Sequence, residues 1–240
     1  MALYSFFLLW LILFAASAAG TWAFVHYATR TGLMDTPNHR SSHSTPTPRG
    51  GGIVIVILAT SIWILAAALD MLSLKQGLAL IIAGAIVAIT GYMDDKGHVS
   101  KGTRFSAHIL ASISAVILLS PLPSVAVSAS YTLDLNHILT LPIVIIAIVW
   151  LTNLYNFMDG IDGIATSEAL CVLMASGITL YLMGETDQAK LLALLFSIVL
   201  GFLIWNWSPA KLFMGDVGST YLGMSFGILA LITAEALSIW

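Results

Sequence analysis

The sequence predicts an all-α polytopic membrane protein, and three observations carry that prediction. Hydrophobic residues make up 59% of the chain and charged residues only 9%, against roughly 25% charged in water-soluble domains. The apolar residues gather in about eight runs, most of them near the ~20 residues that cross a hydrocarbon core of roughly 30 Å. Lys and Arg fall mainly in alternate loops, as cytoplasmic segments of membrane proteins do.

Taken in order, the predicted spans run Leu3 to Ala28, Gly51 to Leu69, Gly77 to Met93, Phe105 to Leu119, Leu139 to Phe157, Ile164 to Met183, Leu191 to Trp205 and Tyr221 to Ile239. The first has no basic leader and no obvious small-residue cleavage site, so it is expected to be a retained helix rather than a signal peptide. Pro121 to His137 alternates in polarity and predicts a small external hairpin between the fourth and fifth spans. Arg30, Arg40, Arg49, Lys96, Lys101, Arg104 and Lys211 lie on one side, and Lys75 and Lys190 on the other. Seven against two places the loops after the first, third, fifth and seventh spans in the cytoplasm and both termini on the periplasmic side. Cys171 sits alone in an apolar run, which excludes an internal disulfide and suggests a packing role. A net charge of −3 with dispersed basic residues excludes nucleic acid and leaves the lipid bilayer and small anions as partners.

The cytoplasmic loops also hold Asp35, Asp94, Asp95, Asp159, Asp162 and Asp216, half of the 12 acidic residues. Three segments, GYMDDKG, NLYNFMDGIDG and KLFMGDVGS, each set Asp beside Gly at a helix end, which suggests one site. Adjacent helical side chains diverge by about 100°, so Asp94 and Asp95 are not expected to aim at one ion. One is assigned to a divalent cation and the other to a reacting phosphate; the plainer reading is a polar helix stop before Lys96-Gly97. Asn153, Asn156, Asp159 and Asp162 recur every third residue and would share one face if the helix persists, where amides and carboxylates can bind a nucleobase or sugar. An N-cap opening the sixth span would account for one Asp of that series. Asp216 precedes the eighth span, where a helix N-terminus offers N–H groups to an anion; an N-cap is the plainer alternative. Mg²⁺ suits such carboxylates, since it binds through one or two of them plus substrate phosphates. The first loop, DTPNHRSSHSTPTPRGGG, combines Arg40, Thr47 and Arg49 with glycines in a make-up suited to phosphates, or to a flexible linker. His39, His43, His98 and His108 fit no zinc spacing and are expected at the surface or at helix ends.

These four segments, in this order and spacing, resemble the polyprenyl-phosphate N-acetylhexosamine-1-phosphate transferases, which include the phospho-N-acetylmuramoyl-pentapeptide translocases and the enzymes that start O-antigen. The first loop is most similar to the O-antigen-initiating, GlcNAc-1-phosphate branch. The resemblance implies transfer of a sugar 1-phosphate from a UDP-N-acetylhexosamine to undecaprenyl phosphate, with release of UMP, at the cytoplasmic face of the bacterial inner membrane. Mg²⁺ is the implied cofactor, with Mn²⁺ as a substitute, and a homodimer is compatible with it. By motif, Asp94, Asp95, Asp159 and Asp162 become the expected catalytic residues. Asn153, Asn156, Arg49, Thr47, Lys101 and Arg104 are expected to bind substrate, and Asp216 with Asp94 to bind metal.

The physics agrees with that set: donor diphosphate and acceptor phosphate repel each other, and a divalent ion reverses the local sign. An acceptor phosphate with a second pKa of about 6 is largely ionised near neutral pH, so a strong general base is not obligatory. Family members continue through further helices and a His-rich cytoplasmic loop, whereas residues 1–240 form a single transferase domain that stops short of them. The rival readings are therefore an inactive binding or assembly fragment of the same family, and a lipid or ion transporter. Charges at helix ends rather than at mid-membrane disfavour the transporter.

Overall fold

The structure is a computed structural model that describes residues 3–37, 45–97, 99–128 and 131–237. With no water in lipid to satisfy backbone groups, helices are the expected solution, and eight helices form among the described residues. They are α1 (Leu3–Thr31), α2 (Ile53–Ala68), α3 (Leu74–Lys96), α4 (Lys101–Leu119), α5 (Leu141–Met158), α6 (Ile164–Leu182), α7 (Thr186–Asn206) and α8 (Gly215–Leu237). Seven are long and apolar enough to cross a membrane, and α2 is shorter at 16 residues. Every predicted span coincides with one of these helices, which makes the chain a polytopic membrane protein.

Two antiparallel ribbons accompany the helices. β1 (Met34–Asp35) pairs with β2 (Thr47–Pro48), and β3 (Ser124–Ser128) pairs with β4 (Tyr131–Asp134). The second ribbon is the hairpin foreseen between the fourth and fifth spans. The first was not foreseen, because two-residue strands have no periodicity to read.

Three helix starts have local causes. Ser73 and Gln76 form a reciprocal capping box at α3, and the Ser100 hydroxyl accepts the Thr103 N–H at α4. Pro142 stands in the first turn of α5, where its missing N–H costs nothing. The Ser100 cap starts α4 at Lys101 rather than at the predicted Phe105. Lys101 and Arg104, expected in a loop, therefore ride on the first turn of a helix.

α8 lies at the centre. Residues 217–229 are all buried, as expected of a helix that is apolar on every side. It packs chiefly against α3 and α5; α4 lies against both of those, while α6 and α1 pack on α7. Small residues let these helices approach, as is usual in membranes. A Cβ on Gly84 would stand 2.6 Å from the Tyr221 ring, and one on Gly91 would stand 2.6 Å from the Asp216 backbone. Cys171, expected to pack inside, is exposed on α6.

Candidate active site

The N-terminus of α8 is the hub of the site. Gly215 takes a left-handed conformation (φ 77°) to turn the chain into the helix, leaving the first N–H groups without intrahelical partners. The protein's own carboxylates take them. Asp159 accepts the Gly215 N–H at 3.0 Å, and Asp95 accepts those of Asp216 and Val217, both at 3.1 Å. The expectation that these groups await an external anion is thus corrected for the first three.

Asp94 and Asp95 diverge, as their 100° separation requires. Asp95 is only 3% exposed and faces α8. Asp94 faces α4: it accepts the Val99 N–H at 2.8 Å and pairs with Arg104 Nη1 at 2.9 Å. The same nitrogen donates to Asp216 at 2.7 Å. The other oxygen of Asp216 accepts from Asn156 Nδ2 at 2.9 Å, and that amide also reaches the Ser219 hydroxyl at 3.1 Å. One guanidinium nitrogen therefore bridges carboxylates from α3 and α8, and an amide from α5 fixes the second of them. A cavity of about 360 Å³ opens beside this bridge between α4, α5 and α8, with Lys101, Arg104, Asn156 and Asp216 in its wall.

The remaining predicted residues divide. α5 ends at Met158, so the three-residue series is broken and Asp162 leaves the shared face; it accepts the Ala210 N–H at 2.9 Å and fastens the loop before α8. Asn153 lines the cavity, its amide donating to the Val149 carbonyl at 2.7 Å. Arg49 turns to the C-terminus of α3, donating to the carbonyls of Asp95 (2.5 and 2.9 Å) and Asp94 (3.2 Å). Cations are favoured at that end of a helix. Thr47 is buried in β2, its hydroxyl donating to the Thr45 carbonyl.

The glycines of the first loop are a clasp rather than a phosphate cradle: the N–H groups of Gly51 and Gly52 donate to the carbonyls of Phe213 and Met214. A Cβ on Gly52 would stand 2.3 Å from Gly218 Cα, so only Gly fits that crossing. Arg40, His39, His43 and His98 lie outside the described residues. His108, expected at the surface or at a helix end, is buried at 4% exposure and lines the cavity two turns into α4. Its signal was available: it is four residues after Arg104, on the same helical face.

Burial pushes the Asp159 carboxyl well above the ordinary range; the Gly215 N–H opposes this, while Asp95 and Asp216 add to it. The residue is partly exposed, but its carboxyl faces inward onto Gly215. Among the described residues no three acidic, His or Cys side chains form a ready-made cation site. Asp94 and Asp216 nevertheless suit Mg²⁺, which needs only one or two carboxylates besides substrate phosphates. The Arg104 nitrogen between them shows that the pair holds positive charge. A larger cavity of about 670 Å³ between α1, α6 and α7 is almost wholly apolar, with Lys190 its one charged lining residue, and carries no such chemistry.

The family model of glycosyl transferase family 4 matches residues 77–234, which include every element of this site except the first loop. The chain belongs to glycosyl transferase family 4. Similar members of the family include a probable undecaprenyl-phosphate N-acetylglucosaminyl 1-phosphate transferase of Bacillus subtilis, 28% identical over 85% of this chain and 56% of the relative. A phospho-N-acetylmuramoyl-pentapeptide-transferase of Prochlorococcus marinus is 32% identical over 82% and 58%. A decaprenyl-phosphate N-acetylglucosaminephosphotransferase of Mycolicibacterium smegmatis is 30% identical over 88% and 56%. The chain thus spans about half the length of the curated relatives it matches. Family 4 members of both the N-acetylglucosaminyl and the muramoyl-pentapeptide kinds are matched at similar identity, so overall likeness does not separate the two branches.

Proposed function

We propose that this chain transfers an N-acetylhexosamine 1-phosphate from a UDP-sugar to undecaprenyl phosphate at the cytoplasmic face of the bacterial inner membrane, releasing UMP. The observation that carries this reading is the Asp94–Arg104–Asp216 bridge at the edge of a cavity among apolar helices. Two phosphates that repel each other need a site offering both positive charge and carboxylates that can recruit more of it. The relatives' names, all polyprenyl-phosphate or pentapeptide phosphotransferases, support the same class of reaction.

In the reaction, an oxygen of the lipid phosphate attacks the β-phosphorus of the UDP-sugar. A new P–O bond forms as the bond from that phosphorus to the bridging oxygen breaks, and UMP departs with the electron pair. Arg104 and Lys101 hold phosphate oxygens at the cavity and offset their charge. Asn156 fixes Asp216, and Asp95 and Asp159 hold the α8 N-terminus so that Asp216 meets α4. Asp94 and Asp216 would hold Mg²⁺, or Mn²⁺ in its place, which when bound neutralises charge on the transferring phosphoryl group. The ionised acceptor attacks without a dedicated base. The excess of Lys and Arg in the loops bearing these residues supports the cytoplasmic orientation, with the β3–β4 hairpin and both termini outside. The first loop supports a role in starting O-antigen or a related envelope polysaccharide.

Membranes containing the chain, given undecaprenyl phosphate, Mg²⁺ and a panel of UDP-sugars, test this directly. A lipid diphosphate-sugar identified by mass, with equimolar UMP, is expected from one UDP-N-acetylhexosamine. No product from any of the panel, with the chain folded, contradicts the reading.

A further inference from the structure

The cavity beside the Asp94–Arg104–Asp216 bridge reaches past Arg104, along α4, to His108. Arg104 and His108 are four residues apart and so share a helical face. Beside it in the cavity wall, the Asn153 amide nitrogen is tied to the Val149 carbonyl at 2.7 Å. His108 Nδ1, by contrast, is buried with no partner. Buried polar atoms are nearly always paired, and leaving one unpaired costs the whole desolvation of the group. A ring nitrogen without a partner, in the wall of a cavity that also carries Lys101 and Arg104, is half of a bond that a ligand completes. Lys101 and Arg104 outnumber the one carboxylate of that wall, Asp216, so an anion is favoured, and a phosphate oxygen is an acceptor of the right chemistry. A turn about χ2, a soft torsion, is the movement by which Nδ1 would meet a ligand in the cavity.

We propose that His108 binds the substrate directly, its Nδ1 donating a hydrogen bond to a phosphate oxygen seated beneath Arg104 and Lys101. The phosphate is then gripped from two depths along α4, by cations at the mouth and by an imidazole two turns down. The inference rests on the phosphotransferase reading above and deepens it by naming the group that fixes how far the phosphate enters. Both substrates present such an oxygen, one on the lipid phosphate and one on the nucleotide-sugar diphosphate.

The test uses the full chain in lipid nanodiscs, titrated separately with undecaprenyl phosphate and UDP-N-acetylglucosamine. Affinities are measured calorimetrically for the unaltered chain and for His108→Leu, His108→Asn and His108→Gln, and the imidazole ¹⁵Nδ1 resonance is followed in the unaltered chain. For one of the two ligands, Leu and Gln are expected to weaken binding about tenfold or more, the scale of one hydrogen bond to a charged group. Asn, whose amide nitrogen falls near the Nδ1 position, is expected to retain it, and the ligand that suffers identifies the source of the phosphate. That ligand is also expected to shift the Nδ1 resonance. Unchanged affinity for both ligands in a folded His108→Leu overturns this inference alone. Rescue by Gln with failure of Asn overturns it too, since Nε2 rather than Nδ1 would then be the nitrogen that matters. No binding of either ligand to the unaltered chain overturns it together with the function beneath it.

Discussion

Arg104 holds two carboxylates with one nitrogen, and that economy has a measurable consequence. Removing the guanidinium in Arg104→Gln leaves Asp94 and Asp216 facing each other without compensation. Their side chains are 19% and 23% exposed, between the surface and buried extremes, so a loss of about 1–2 kcal/mol is expected. Mg²⁺ is expected to restore most of it by supplying the missing charge. Thermal unfolding of the variant in EDTA and in Mg²⁺ checks this; equal destabilisation in both would separate the pair from any cation. Asp159 supplies a pH test. Its carboxyl is held above the ordinary value of about 3.9 by burial first, then by Asp95 and Asp216. The folded chain therefore binds this proton more tightly than the unfolded chain does. Its contribution to stability is full below about pH 4 and is lost as pH rises towards the folded-state value. Cation binding favours the ionised form, so Mg²⁺ is expected to flatten that fall in Tm. A pH dependence identical with and without Mg²⁺ would show that Asp159 does not feel the ion.

The elements meeting at the site are held by groups that compete for the same roles as catalytic ones. Asp95 looks catalytic in the sequence, yet both its oxygens accept N–H groups of α8. Asp95→Asn leaves only one accepting oxygen, and a loss of about 1 kcal/mol, typical of helix capping, is expected. Hydrogen exchange of the α8 first turn should rise in this variant; unchanged protection there would mean that α8 is held by packing alone. Gly91→Ala acts on the same junction, because its Cβ would stand 2.6 Å from the carbonyl carbon and oxygen of Asp216. Neither backbone can yield cheaply, so about 1–3 kcal/mol of destabilisation and loss of transfer are expected in a thermal melt and a turnover assay. These roles were hidden in the sequence for a physical reason. GYMDDKG states that two carboxylates end a helix, but which one turns to α8 depends on how α3 and α8 cross. Arg49 was read as a phosphate ligand by type, and only the fold reveals that its nearest anionic ends are the carbonyls of α3. The spacing of His108 from Arg104 acquires meaning only once α4 is known to begin at Lys101, which puts both residues on one helical face.

At the scale of the whole molecule, lipid as solvent makes the fold more legible than the site. An apolar run of the right length has few alternatives in a bilayer, so all eight helices were visible, down to a short α2. Their arrangement was not, since lipid-facing and buried surfaces are equally apolar. Trp63, for example, is fully buried and donates to the Tyr221 hydroxyl at 3.0 Å, tying α2 to the central helix, whereas Trp150 in the same chemical setting is 71% exposed. What the architecture accomplishes is to bring α3, α4, α5 and the start of α8 to one place, where carboxylates and a guanidinium from distant parts of the chain meet. Electron paramagnetic resonance of Mn²⁺ with the full chain in nanodiscs tests that convergence most directly. The account predicts one bound ion in the unaltered chain in the presence of UDP-sugar, lost both in Asp94→Asn and in Asp216→Asn. An ion retained at full affinity in both variants would contradict it.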